Sequence, residues 1–551
     1  MIIGLDVGGT HTDAILLDAK GLVRKAKVHT DPQNLFETIL QALEETIADT
    51  APESIHRVVL STTLATNLVV QQQLPAVGMV VAAGPGIDPA HFRTNVDYHV
   101  VKGGLDHRGR EIDPLDQDRI VALGQEFQRQ GIRYAGVVSK FSVRNPQHEN
   151  AMADLLAPYV EQVFKGNTFS GGLNFPRRIA TTYLNTAVYP VYKKFFEAVQ
   201  QSLAQKGFSM PMRILKPDGG NMSFESSLDH PAQTILSGPS ASVMGTLSHA
   251  PRKGASLVLD IGGTTTDMAV LIDGVPLLAP QGIEILPYKT LIRALKTQSI
   301  GIGGDSVVRL KNGQITIGPD RLGKAMAYGG PAPTPTDAIY VLGLGQTGDR
   351  EKAHQGLAPI AGELGLSVEQ TAGKIFASAC RRILDAAQSM VDAINDKPVY
   401  TVHELYEGSK IEPAHLLVMG GPAPQFGEKL ATMFHGEVTV VPHWDVANAI
   451  GCALARTTSE LTLFADTARQ VISVPGEQYS CSISSHFELE DARQIAHELL
   501  RERAIRQGAR NNRIQTEIIE ESEFNMIRGF HTVGKNIRIK AQIKPGLIEF
   551  D

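Results

Sequence analysis

Apolar runs broken by glycine turns set the rhythm of this chain. Residues 2–5 form an apolar stretch that stops at Asp6 and the pair Gly8-Gly9, and residues 14–17 resume it, which reads as strand, glycine turn, strand. The layout returns further on, with apolar residues 257–259, the pair Gly262-Gly263, and apolar residues 268–272. Residues 58–60 predict another strand, and residues 415–419 predict one that ends in Gly420-Gly421 and passes into a helix running to about Phe434. A strand over 438–441 and a helix of small residues over 445–455 follow, the latter suited to close packing on another helix between two lobes. From residue 457 the pattern changes: a strand at 469–474, a charged helix at 489–508 with one apolar stripe, and alternating runs around 514–519 and 537–543 predict a small α+β module. At 551 residues the chain exceeds a single hydrophobic core. We expect lobes over 1–184 and 185–456, with the small-residue helix returning to the first lobe, and the module over 457–551.

The two glycine turns are near copies. Leu5-Asp-Val-Gly-Gly-Thr-His-Thr-Asp13 and Leu259-Asp-Ile-Gly-Gly-Thr-Thr-Thr-Asp267 agree at seven of nine positions. In dinucleotide and P-loop fingerprints the glycine loop feeds a helix whose N-terminus takes the phosphate. Here it feeds a second strand. Gly8, Gly9, Gly262 and Gly263 let backbone N–H groups approach phosphate oxygens, and Thr10, Thr12, Thr264 and Thr265 offer hydroxyl donors. Asp6 and Asp260, at the strand ends, are placed to hold Mg²⁺ through its waters. Asp13 and Asp267, where the hairpins turn outward, either orient the threonines or poise an attacking group. Gly420 and Gly421 form a third turn, either an ordinary strand-to-helix turn or, in company with the two hairpins, one flat enough to lie against a purine and its ribose. Two facing hairpins would clamp one triphosphate, so ATP and Mg²⁺ are the expected cofactors.

Composition narrows the alternatives. Hydrophobic residues at 42% and charged residues at 20% describe a globular protein. A formal net charge of −6 gives no basic footprint for nucleic acid or an anionic membrane. No apolar run approaches the roughly 18–20 residues of a membrane-spanning helix, and the first residues read as a core strand without an export signal, so a cytoplasmic location is expected. The three cysteines have no C-x-x-C spacing, and the 17 histidines form no H-x-x-x-H box, so neither a disulfide framework nor a transition-metal site is expected.

The order hairpin, hairpin, adenosine turn, small-residue helix resembles the actin, heat-shock ATPase and sugar-kinase superfamily. That resemblance implies an α/β fold class: two related actin-like (ribonuclease H-like) ATPase lobes around a nucleotide cleft, followed here by the small α+β module. The intervening segments resemble the A-type chain of the hydantoinase/oxoprolinase family. They include Ser61-Thr-Thr-Leu-Ala-Thr-Asn67, Phe141-Ser-Val-Arg-Asn-Pro-Gln-His-Glu149, Thr181-Thr-Tyr-Leu-Asn-Thr-Ala187, Thr234-Ile-Leu-Ser-Gly-Pro-Ser-Ala241, Gly301-Ile-Gly-Gly-Asp-Ser306 and Gly329-Gly-Pro-Ala-Pro-Thr-Pro-Thr-Asp-Ala338. The resemblance implies ATP-dependent activation of a small carbonyl substrate, a cyclic amide such as a hydantoin or 5-oxoproline, or a ketone to be carboxylated. It also implies a separate B-type subunit, while self-association is left open. It adds Gly303 and Gly304 to the nucleotide site, at a place where the family commonly carries a longer glycine run than Gly303-Gly304-Asp305.

Beside the nucleotide, two readings stand for each remaining candidate. His148 and Glu149 begin a helix after Asn145-Pro146, and serve either as a general base near a carbonyl or as a helix start that favours the dipole. Thr62, Thr63, Thr66 and Asn67 either line the substrate side or cap local backbone. Asp337 is a substrate-side residue by resemblance, or a helix cap. The rival functions are a small-molecule kinase and a nonenzymatic ATP-driven switch or assembly factor.

Overall fold

The computed structural model describes all residues except 10, 32–33, 49, 206, 209, 280, 397–409, 478, 511–513 and 549–551, with the side chains of 202 and 205 also left aside. Its first sheet has six strands in the order Asn221–Ser223, Met212–Leu215, Arg57–Thr62, Ile2–Val7, His11–Asp18, Gly21–His29. Ile2–Val7 is buried at every position, as a near-continuous apolar central strand should be. Gly21–His29 alternates in burial and carries Arg24, Lys25 and Lys27, the polar edge that discourages further pairing.

A second sheet repeats this plan. Its order is Val275–Pro276, Thr266–Ile272, Ala255–Ile261, His415–Met419, Glu437–Val440, with Thr297–Ile300 also paired to Thr266–Ile272. Ile2–Val7 runs antiparallel to His11–Asp18 and parallel to Arg57–Thr62, Ala255–Ile261 runs antiparallel to Thr266–Ile272 and parallel to His415–Met419, and the register pairs Asp6 with Asp13 and Asp260 with Asp267. A parallel four-stranded sheet (Gln162–Lys165, Tyr134–Ser139, Gly78–Ala82, Tyr98–Val101) lies between Arg57–Thr62 and Met212–Leu215 in the chain.

The expected boundary at residue 184 is corrected by this topology. It falls inside the helix Phe175–Gln205, and Met212–Leu215 and Asn221–Ser223 still pair within the first sheet. The first lobe therefore extends through residue 223.

Two short helices, Ser237–Thr246 and Ala447–Leu454, join the lobes backbone to backbone. A Cβ at Gly451 would lie 2.2 Å from the Gly245 nitrogen, and one at Gly245 would lie 2.2 Å from the Ala447 oxygen. One at Gly4 would lie 2.0 Å from the Ala449 oxygen, so Ala447–Leu454 rests directly on the first strand of the first lobe. This is the return expected of the small-residue helix, and it requires glycine where the backbones cross.

The C-terminal module is a five-stranded sheet (Tyr479–Ser482, Val471–Val474, Glu460–Asp466, His531–Gln542, Glu517–Arg528) backed by the helix Leu489–Arg506. Ala492, Ala496, Leu500 and Ala504, one residue per turn, form the buried stripe of that helix. The last two strands are a long hairpin ending in the largely exposed Phe524 and Ile527 and the fully exposed Phe530.

Candidate active site

Each glycine turn closes in the same way: Gly8 N donates to His11 O at 3.1 Å, and Gly262 N donates to Thr265 O at 2.9 Å. What unites them is a residue of the small-residue helix. The Asn448 amide nitrogen donates to Asp6 Oδ2 at 3.3 Å and to Asp260 Oδ2 at 3.2 Å. Two acceptors so close to one nitrogen lie no more than about 6.5 Å apart. Ser242 Oγ, from the other joining helix, donates to Asp260 Oδ2 at 2.6 Å. The two hairpins therefore converge, bridged by Asn448, while Ser242 fixes Asp260 on the second.

The carboxylates there are under electrostatic pressure. Burial, followed by the charge of Asp13, pushes Asp6 up to about 7, against hydrogen bonds from Ser61 and Asn448. Burial raises Asp260 as well, while burial and then the charge of Asp260 push Asp267 to about 6. Asp13 is raised by burial in spite of its 2.7 Å ion pair with Lys27. Among the described residues no three His, Cys, Asp or Glu side chains gather as a cage for a metal ion. Asp6 and Asp260, brought to one amide, are the carboxylates that could hold Mg²⁺, an ion that binds through one or two carboxylates, water and phosphate oxygens.

The second hairpin carries a lining of its own. Gly304 N donates to Gly262 O at 2.9 Å and Asp305 N to Gly263 O at 2.7 Å, which brings the predicted Gly303 and Gly304 onto the turn. A Cβ at Gly303 would lie 2.5 Å from Gly262 O. Gly420, at φ +96°, sits where a Cβ would meet Ile261 O at 2.3 Å and Asp260 Oδ1 at 2.6 Å. Gly421 and Gly9 have open space where a Cβ would be. All the predicted glycine elements of the second lobe are thus contiguous with Asp260.

The threonines divide. Thr10 lies outside the described residues. Thr12 is fully buried and its hydroxyl pairs with Thr30 at 3.0 Å, so the structure corrects its reading as a phosphate donor. Its counterpart Thr266 is likewise buried, donating to Ile302 O at 2.7 Å. Thr264 and Thr265 stay partly exposed at the turn, and Thr264 Oγ1 accepts from Arg321 Nη1 at 3.2 Å. Thr63 Oγ1 reaches Val7 O at 3.4 Å, which sets residues 62–67 beside the first hairpin. Thr62 is buried and its hydroxyl accepts from Leu64 N, Thr66 accepts from Leu236 N, and Asn67 is exposed, donating to Thr63.

Two other readings are corrected. Asp337 is fully buried in a capping box with Thr334, its oxygens also accepting from Met326 N and Ala327 N, which makes it a cap and not a substrate-side group. Glu149 is fully buried, accepting from Ser139 N at 2.8 Å and Asn167 N at 2.7 Å, with the Arg178 guanidinium close by. Its carboxylate ties two chain segments together and is no free base. His148 bonds Glu111 at 2.9 Å through Nε2, outside the hairpin cluster.

Asn448, Ser242 and Arg321 were not singled out by pattern. Asn448 alone left a trace, as an amide among the small residues of its helix. A polar cavity lined by Lys216, Asp218, Arg293 and Arg503 at the junction with the C-terminal module is a separate feature. No hairpin residue lines it, and Asp218 is shared between Lys216 at 3.5 Å and Arg293 at 3.4 Å.

Two lobes of one strand order, each opening on a glycine hairpin and the two brought together at Asn448, define an actin-like ATPase-type fold. Within that class the chain belongs to the hydantoinase/oxoprolinase family: the family's description Hydantoinase/oxoprolinase matches residues 178–461 and its N-terminal region matches residues 2–160. The chain is 25% identical over 513 residues to the caprolactamase subunit alpha of Pseudomonas jessenii, covering 83% of this chain and 70% of that one. Its fold is similar to that of an acetone carboxylase in a nucleotide-free structure (TM-score 0.72, 19% identity, 100% of this chain and 88% of that one). It is similar also to an ATP-dependent caprolactamase from Pseudomonas jessenii (TM-score 0.70, 20% identity, 98% and 87%). Among the described residues no helix is long and apolar enough to cross a membrane.

Proposed function

We propose that this chain binds Mg-ATP between its two hairpins and uses it to activate the carbonyl oxygen of a small substrate, as the A-type subunit of a two-component enzyme that hydrolyses a cyclic amide such as a hydantoin or 5-oxoproline. The observation that carries this is the Asn448 bridge, which brings Asp6 and Asp260 to one amide. The amide NH groups of the turns at Gly8-Gly9 and Gly262-Gly263 would receive the phosphates from two sides, and Gly421, open on its surface, would receive the adenosine. Mg²⁺, held by Asp6 and Asp260, would offset the charge that builds on the phosphates. Asp13, tied to Lys27, and Asp267 would orient the hairpins from behind.

An amide oxygen is a poor leaving group until it carries phosphate. Transfer of the γ-phosphoryl group to that oxygen releases ADP and makes the carbon electrophilic; in sum, one cyclic amide, one ATP and two waters yield ADP, phosphate and the ring-opened product. Ring opening we assign to a B-type subunit. The long C-terminal hairpin with Phe524, Ile527 and Phe530 exposed offers an apolar face for it. The likeness to acetone carboxylase supports a second reading, in which the activated oxygen belongs to a ketone that is then carboxylated.

The test is ADP release by purified chain, alone and with a B-type subunit, against hydantoin, 5-oxoproline, caprolactam and acetone, with product analysis. Substrate-stimulated ADP release with ring-opened product supports the first reading, and carboxylated product the second. A phosphorylated alcohol would identify a kinase. Slow ATP hydrolysis indifferent to every substrate would replace the enzyme with a switch.

A further inference from the structure

The cleft carries more negative charge than the proposal so far accounts for. Asp6 and Asp260 stand at the two turns with Asp13 and Asp267 paired to them on the neighbouring strands, Asp305 lies beside Gly263, and Lys27 is committed to Asp13. Among the described residues, Arg321 is a cation set against the second turn. Arg321 Nη2 donates to Asp305 Oδ2 at 2.9 Å, Nη1 to Thr264 Oγ1 at 3.2 Å, and Nε to Gly323 O at 3.1 Å, with about a quarter of the side chain exposed.

The support behind this guanidinium is built in layers. Asp305 is fixed through its own backbone, its N–H donating to Gly263 O at 2.7 Å, and Thr336 Oγ1 lies 3.5 Å from Asp305 Oδ1. The loop bearing Arg321 is pinned where Val307 N donates to Asp320 O at 2.9 Å and Arg309 pairs with Asp320 at 2.9 Å. A Cβ at Gly263 would stand 2.8 Å from Asp305 Oδ2 and 3.6 Å from Arg321 Nη2, so the glycine keeps the pair against the turn. His11 of the first hairpin is held below its ordinary pKa by burial and then by Lys27, with the charge of Arg321 a smaller contribution in the same direction. Asp305 follows the Gly303-Gly304 pair in the chain, and the structure gives it a partner in Arg321.

We infer that Arg321, positioned by Asp305, is a phosphate-binding residue of the nucleotide site that reaches the terminal phosphate from the second hairpin. A guanidinium holds a tetrahedral oxyanion through paired N–H donors, and with Nη1 and Nη2 each spending one N–H on the protein, each has another to give. This inference rests on the reading of the cleft as an ATP site.

Binding of Mg-ATP and Mg-ADP to the wild type, Arg321→Gln, Arg321→Lys and Asp305→Asn would be measured by calorimetry, with thermal melting as the control for folding. Arg321→Gln should lose about tenfold or more in ATP affinity while ADP affinity stays within about threefold. Arg321→Lys should recover only part of the loss, since a point charge lacks the fork. Asp305→Asn should give a smaller loss of the same kind, again confined to ATP. Equal losses for ATP and ADP, or none, in an Arg321→Gln protein that melts like the wild type would overturn the assignment and leave the ATP site standing. A wild type that binds neither nucleotide would sink the site itself.

Discussion

The two hairpins share seven of nine residues and one strand register, yet their surroundings differ. The first turn is closed by its own Gly8–His11 bond, and Gly9 faces open space. At the second turn both glycine carbonyls accept from residues 304 and 305, Arg321 bonds Thr264, and Gly263 sits against Asp305. Among the described residues the first turn has few partners beyond Thr63 at Val7 O, and the second is part of a braced cradle. The residues the two copies share include the glycines that would meet phosphate, whereas the segments threaded between the strands decide how rigidly each copy is held.

If both copies grip one polyanion, the largest effect should be symmetrical. Asp6→Asn and Asp260→Asn should each lower substrate-stimulated ADP release about a hundredfold or more in steady-state assays, since misplacing the reacting phosphate is costly. A loss at Asp260 alone would mean that the first hairpin is structural only, and the two-sided clamp would fail.

The next effect should be asymmetrical. Gly263→Ala forces a Cβ to within 2.8 Å of Asp305 Oδ2, and should destabilise the protein by about 1–3 kcal/mol in chemical denaturation. Gly9→Ala meets no atom within 4 Å and should melt like the wild type, while losing about tenfold in Mg-ATP affinity as its methyl blocks a backbone donor. Equal melting of the two variants would show the second turn to be as free as the first.

Much of this was legible because the informative residues are local. A glycine pair between apolar runs declares a hairpin by itself, and its recurrence declares two lobes. The boundary at 184 failed because Phe175–Gln205 bridges the expected edge, and the short strand Met212–Leu215 finds its partner about 150 residues upstream, in Arg57–Thr62. Site residues that act across the fold were hidden for the same reason: Asn448 meets Asp6 and Asp260 across 442 and 188 residues of chain. Asp337, Glu149 and Thr12 were overread, because a polar residue spent on a cap, a backbone clamp or a buried hydroxyl pair looks in sequence like one free for substrate.

The smallest effect separates the hairpins by pH. Asp6 is pushed to about 7 and Asp267 to about 6, both above the 3.8 of an ordinary aspartate. A folded-state value above the unfolded one means that the stability contributed by the protonated group is full below about 4 and is lost as pH rises through the folded value. Melting of the nucleotide-free protein should therefore fall by roughly 2–4 °C between pH 5 and pH 8 on account of these groups. Asp6→Asn should flatten the upper part of that fall, near pH 7, and Asp267→Asn the lower part. Mg²⁺ prefers the ionised carboxylate, so Mg-ATP affinity should move the opposite way, rising through pH 7 in the wild type and losing that step in Asp6→Asn. Asn448→Ala removes a hydrogen bond that favours the charged form of Asp6, and should shift the step to higher pH. A step unmoved by Asp6→Asn would place its titration elsewhere and remove the electrostatic distinction between the first hairpin and the second.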